Sequence, residues 1–456
     1  MITAVLQKQK LIRQLIIYFV MVFFIPVIKA GDTSTPIVLT LEKAITLALE
    51  QNRDVLMANQ DRLAAKAQVR EARAGALPQI TISSQFLRNI KKPVIFIGPY
   101  TPFNRGNTTM TFEVGSDNSF LMGAQLSQAL FNAKLGAALD IAKTYRDYSE
   151  ESYQATTQTI ELYVKKSFYT IWLAQKLLEA NRQGLDVVKA NLENVRSQYR
   201  HGTAAEYDLL RAEVQLANTE PLYISAENNL VLAKNGFKNI LAIPLDQDIE
   251  LQGEFTYDQI PIEIQEESRK NAFATNPLIM QLTLQESILE KNISVEKANF
   301  YPNLNLFGSY QWQAQDNTFD VNRYLWVPTM NVGLQLTYPL FDGFRTSSRV
   351  QQALVSREKI RYTRIKAEEG LRIQIQSTEL KMAEAQKRIT GQEKNIEQAK
   401  KAVRIAQTRY TNGLGTQLEL LDTQVAMTRA QTNYAQAIYD YLVARAEWEF
   451  AVGQSK

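Results

Sequence analysis

From Ile375 to Tyr410 apolar residues return every seven positions, at Ile375, Met382, Ile389, Ile396, Val403 and Tyr410. Three places after the first five stand Thr378, Ala385, Gln392, Ala399 and Ala406, most of them small. This period predicts a long helix wound against a neighbour, closely packed where the second seam position is small. The pattern stops at Tyr410–Thr416, where Gly413 and Gly415 give a turn signal. It resumes through Leu420, Leu421, Val425, Met427, Tyr434, Ile438 and Tyr441. The reading is a helical hairpin with Gly413 at its tip.

The same pattern stands 211 positions earlier, with Val164, Ile171, Leu178, Leu185, Leu192 and Tyr199 on the ladder and Gly202 at the turn. Leu209, Leu210 and Val214 take the places of Leu420, Leu421 and Val425, and Asp208 that of Glu419. An internal repeat follows, with a first copy over 31–245 and a second over 246–456. The long helices, Ala133–Tyr199 and Phe344–Tyr410, would each reach about 100 Å if continuous. The first copy closes at Leu241-Ala242-Ile243-Pro244 and the second at Val452-Gly453, and a link from 245 to about 262 joins them.

Each copy opens on helix. The segment from Leu39 to Ala76 has helical spacing interrupted at Asn52, and the second copy has Asn276-Pro277 at the equivalent place. After Pro78 and Pro302 the period drops to two: Ile80, Ile82 and Phe86, and then Leu304, Leu306 and Tyr310, alternate with polar residues. Returning strands carry Phe120, Met122, Ala124 and Leu126, and Met330, Val332, Leu334 and Leu336. The four strands are expected at about 78–90, 119–130, 302–314 and 329–341, and the first connection is 14 residues longer than the second. One apolar and one polar face per strand suit a membrane barrel with lipid outside and water inside; two soluble hairpins on a core fit the alternation equally. Four strands cannot close a barrel alone, so spanning strands require several chains to share one. Tyr100, Phe103, Trp312, Tyr324 and Trp326 near the loops are either interfacial aromatics or loop packing.

Composition narrows the function. Lys8, Lys10 and Arg13 precede an apolar run from Leu15 to Ile28 and then Ala30, which reads as a secretory leader over 1–30. An uncleaved anchor is the alternative, but the run is short of the ~20 residues that span a bilayer. Those first residues, with Lys29, carry the excess of 51 Lys and Arg over 47 Asp and Glu, so the remaining chain is neutral and gives no case for nucleic acid. The absence of cysteine excludes disulfides, thiol catalysis and a lipid-bearing N-terminal cysteine. A single histidine, His201, excludes His-pair zinc motifs. No Walker glycine loop or nucleophile pair is present, so no enzyme and no cofactor is expected.

Leu39-Thr40-Leu41-Glu42-Lys43-Ala44, with Ala48-Leu49-Glu50-Gln51-Asn52, resembles the opening of TolC-type outer-membrane efflux proteins. So do the strand entries Leu77-Pro78 and Tyr301-Pro302, the Gly-x-Gln-Leu returns at Gly123 and Gly333, and the exit Pro339-Leu340-Phe341-Asp342-Gly343. The spacing from Tyr199 to Gly202 and from Tyr410 to Gly413, and the closing stretch from Ala444 to Gly453, complete a resemblance over nearly the whole chain after the leader. It implies a mixed α+β membrane protein: a homotrimer whose chains each give four strands to a twelve-stranded outer-membrane β-barrel set in lipid, with long coiled-coil helices forming a periplasmic tunnel. It implies an exit duct that works with a periplasmic membrane-fusion adaptor and an inner-membrane pump of the RND or ABC type, for efflux or type I secretion. By position, Glu419 and Asp422 resemble the family's ring of pore acids, Asp208 an acid linking neighbouring hairpins, and Tyr410 a tyrosine in that link. The resemblance implies that Gly202 and Thr203, with Gly413 and Leu414, are adaptor-contact tips, although the two glycines also read as serving backbone geometry alone. Gly415 stands where the family pattern has a gate arginine. Glu419 and Asp422 also read as ordinary helix-start acids, favourable near the positive end of a helix. The competing readings are a periplasmic coiled-coil adaptor and a structural protein without a pore; neither has a use for the duplicated strand pairs.

Overall fold

A computed structural model describes residues 36–454, with 254 and 256 excepted, so the expected leader lies outside the described residues. The chain opens with β1 (Ile37–Leu39), α1 (Leu41–Gln51) and α2 (Arg53–Ala74), followed by β2 (Gln79–Arg88), β3 (Val94–Ile97), β4 (Met110–Glu113) and β5 (Asn118–Phe131). Two long helices follow, α3 (Ala133–Arg200) and α4 (Glu206–Ile240), and then β6 (Ile249–Leu251). The second half comprises α5 (Ile262–Thr275), α6 (Pro277–Lys297), β7 (Asn303–Asp316), β8 (Val327–Thr337), α7 (Arg345–Thr411) and α8 (Gln417–Ala451).

The expected break at Asn52 is a helix boundary. Its side-chain oxygen accepts from Asp54 N at 2.9 Å, and its amide donates to Ile240 O at 2.9 Å. Asn276 repeats this, accepting from Leu278 N at 3.0 Å and donating to Ala451 O at 3.0 Å. Asparagine suits both positions because its short side chain caps exposed N–H groups. The helix expected from Leu39 starts two residues later, since Leu39 pairs in β1 and Thr40 caps α1.

The elements form four side-by-side columns. The large sheet is antiparallel in the order β2-β5-β7-β8. Below it α2, α3, α6 and α7 lie in the same order, each continuing or feeding the strand above it. Further down, α4 packs on α3, α3 on α8 and α8 on α7. The two long helices, 68 and 67 residues, therefore run through both layers. The heptad seam is the packed line: Ile375, Thr378, Met382, Ala385, Ile389, Ala399 and Ala406 are buried. In α3, Val164, Ile171, Leu185 and Leu192 are buried, but Tyr199 is 41% exposed and leaves the seam at its end.

The strands fall close to expectation except the last, which ends at Thr337 rather than near 341. Pro339 has no N–H to continue the ladder, and Gly343 and Phe344, at φ 67° and 65°, turn the chain into α7. The longer first connection contains the small hairpin β3–β4, which the sequence pattern did not reveal. The link between the halves is docked on the helices. β6 pairs in parallel with β1, the Phe255 ring lies 4.7 Å from Trp172, and Tyr441 donates to Asp258 O at 2.7 Å.

Candidate functional site

Strand register decides which residues share a face. Ile80, Ile82 and Phe86 stand opposite Leu126, Ala124 and Phe120; Ala124 and Met122 stand opposite Tyr310 and Trp312; Leu304, Leu306 and Tyr310 stand opposite Leu336, Leu334 and Met330. All lie on one face. The other carries Gln79, Thr81, Ser83, Gln125, Asn305, Ser309, Asn331 and Gln335. The apolar face is bare in the single chain, with Ile82 79% and Leu336 67% exposed. Among the described residues the outer sides of β2 and β8 have no strand partner. A long apolar sheet with two free edges is unfavourable in water and requires both a covering phase and neighbouring strands. Among the described residues no helix is long and apolar enough to cross a membrane.

At the loop end of the sheet the rings of Phe86 and Tyr324 lie 4.6 and 5.2 Å from that of Phe120. Tyr324 is buried there and donates its hydroxyl to Thr318 O at 2.9 Å, so it belongs to loop packing. Tyr100 and Phe103 are exposed on the β3–β4 connection, and Trp312 packs edge-on against Tyr310 on the apolar face.

At the opposite end each long helix closes in the same way. Gly202 N bonds to Tyr199 O and Thr203 N to Gln198 O, both at 2.9 Å. Gly413 N bonds to Tyr410 O at 3.1 Å and Leu414 N to Arg409 O at 2.8 Å. Gly202 and Gly413 both sit at φ 71°, a left-handed cap conformation that costs a side-chain-bearing residue energy. The sequence pattern thus placed both tips, and their exposed residues Gly202, Thr203, Gly413 and Leu414 are brought to the two hairpin ends.

The acids behave differently. Asp208 accepts from Ala205 N at 3.4 Å, capping its own helix, and shares no hydrogen bond with the half-buried Tyr410 inside this chain. Thr416 caps α8 by accepting from Glu419 N at 3.2 Å, and the Glu419 carboxylate is left half-exposed beside Arg409. Asp422 is exposed one turn further on. His201 ends α3 with Nδ1 2.7 Å from Ser197 O. Arg409 was not singled out in the sequence, because its place beside Glu419 depends on the chain reversal between them.

A second charged group, also unmarked by pattern, joins α3 to α8. Lys165 lies 2.9 Å from both Glu161 and Glu449, and Arg445 holds Glu449 at 3.0 Å. Burial alone lowers the Lys165 pKa, but the two carboxylates outweigh it and the ammonium is held above its ordinary value. Burial pushes the adjacent Tyr169 phenol up as well.

The family model described as "Outer membrane efflux protein" matches this chain over 44–242 and again over 269–454. The alkaline protease secretion protein AprF of Pseudomonas aeruginosa is 24% identical over 413 residues, which cover 89% of this chain and 83% of AprF. The outer membrane protein TolC of Vibrio cholerae is 22% identical over 416 residues, covering 89% of each chain. The crystal structure of the CmeC outer membrane channel of Campylobacter jejuni superposes with a TM-score of 0.75 at 18% identity, covering 91% of this chain and 85% of CmeC. With a family model matching most of its length in two segments, this chain belongs to the outer membrane efflux protein family.

Proposed function

We propose that this chain is an outer-membrane exit duct, through which exported molecules pass passively from a periplasmic helical tunnel into a β-barrel shared by three copies. The observation that carries this reading is the sheet: four strands with one apolar and one polar face and two free edges, mounted on the long helices in matching lateral order. Three such sheets joined edge to edge satisfy every strand ladder, and lipid covers the apolar face. The helical layers then extend into the periplasm, with Gly202, Thr203, Gly413 and Leu414 presented to a periplasmic adaptor of an efflux or secretion pump. That AprF, a relative of this chain, is an alkaline protease secretion protein supports that assignment.

At the narrow end, Asp208 and Tyr410 belong to contacts between hairpins, while Glu419 and Asp422 line the passage, where carboxylates favour cations and repel anions. Planar-bilayer recording of the purified protein should give small, cation-selective conductance steps. Glu419→Gln with Asp422→Asn should reduce the cation preference by about threefold or more. Folded, inserted protein that never conducts, even with both acids removed, would overturn the duct. An unchanged reversal potential in the double variant would overturn the role of the two acids.

A further inference from the structure

Gly415 has no conformational reason to be glycine. It is not among the residues of positive φ, unlike Gly413 two places before it. What it supplies is space. A Cβ at 415 would stand 3.0 Å from Arg409 Cβ and 3.2 Å from Glu419 Oε2. Any side chain there would wedge between the arginine and the carboxylate. Through the gap so left, Arg409 Nη2 lies 3.7 Å from Glu419 Oε2 and donates to Leu414 O at 3.1 Å. The backbone carbonyl of Arg409 meanwhile accepts from Leu414 N at 2.8 Å, so this residue holds the Leu414 peptide group on both sides. In the first hairpin Gln198 and Ala204 stand at the positions equivalent to Arg409 and Gly415, Asp208 turns back to its own helix start, and the arginine–glutamate pair between the helices, Arg196 to Glu213 at 3.5 Å, stands further from the turn.

We propose that Arg409 is a built-in counter-charge that sets the ion selectivity of the second hairpin tip, with Gly415 as the notch that admits it to Glu419. The inference rests on the reading of the chain as a duct lined there by Glu419 and Asp422. Each chain then presents Asp422 as an uncompensated charge and Glu419 as a largely compensated one. The cation preference of the closed tip is accordingly weaker than two free carboxylates would give. Because Arg409 and Glu419 are both about half exposed, the compensation is screened by salt over roughly a 10 Å Debye length at 0.1 M. It is therefore an adjustable bias on the passage.

The test is reversal potential across a potassium chloride gradient for full-length protein in planar bilayers. Arg409→Gln should raise the potassium-to-chloride permeability ratio by about threefold at low salt, with the difference shrinking near 1 M. Glu419→Gln should lower the ratio more in the Arg409→Gln background than in the wild type. Arg409→Lys should keep the wild-type ratio, which separates charge from the structural hold on Leu414. Gly415→Ala should shift selectivity in the same direction as Arg409→Gln, by pushing the two side chains apart. If Asp422→Asn alters the ratio while Arg409→Gln does not, the inference fails and the duct reading stands. If neither alters it, the lining role of this tip fails and the inference with it.

Discussion

At Asn52 and Asn276 one carboxamide performs two tasks, capping the helix that follows and tethering the break to the last turn of the same half, at Ile240 and Ala451. Both side chains are buried. Removing either leaves a carbonyl and a helix N–H without partners inside the protein, so Asn52→Ala or Asn276→Ala should each destabilise by about 1–3 kcal/mol. Denaturant unfolding of the detergent-solubilised protein checks this, and Asn52→Asp should recover the cap but not the tether. The sequence marks each asparagine as an interruption, because asparagine favours caps over helix interiors. It does not reveal the partner of Asn52, which lies 188 positions away. The acids at the tip show the same division. Glu419 and Asp422 are legible as helix-start acids, whereas the neighbouring charge from Arg409 exists only once the turn has closed.

The long helices are the most legible elements. A seven-residue apolar period sustained over five heptads has few other solutions, and seven of the eleven predicted seam residues of α7 are buried, while Gln392, Ile396, Val403 and Tyr410, toward the tip, are half-buried. Short elements escape: β1 and β6 have three residues each, too few for any period to register, and their pairing is set by the docking of the link. The polar side of the α3–α8 interface was equally invisible. There Lys165, with its pKa raised, contributes stability that is fully present below the ordinary lysine value of about 10.4 and is lost as pH rises through the higher folded value. Tyr169, raised by burial, acts in the same direction. The unfolding midpoint should therefore stay level from about pH 8 to 10 and fall above that. Lys165→Met should lower the whole curve, since Glu161 and Glu449 lose their shared cation, and should flatten the alkaline fall without abolishing it. An identical alkaline slope in that variant would remove Lys165 from the account.

The columns of strand and helix end at β2, α2 and α4 on one side and at β8 and α7 on the other. Within the chain α3 packs along α8, burying Leu421 to 5% exposure. The equivalent face of α4 carries Leu210, 54% exposed, and Val214, Ile224 and Val231 are bare beside it. An α4–α7 seam between copies would repeat the α3–α8 seam inside one copy and close the helical layers as the strands close the sheet. Since the chain has no cysteine, introduced pairs report this without background. Thr81→Cys on β2, combined in turn with Asn331→Cys and Gln335→Cys on β8, should give oxidised species ending at three chains. A ladder running past three, or monomer alone, would refute closure by three. The sequence by itself determined the helical hairpins, the alternating strands, the tip glycines and the likeness of the two halves, because each is written in local period and residue type. Only the tertiary structure decided the lateral order of the strands, the single apolar face they build together, the docking of the link, and which charges meet. Those depend on residues far apart in the chain reaching the same place, which no local pattern encodes.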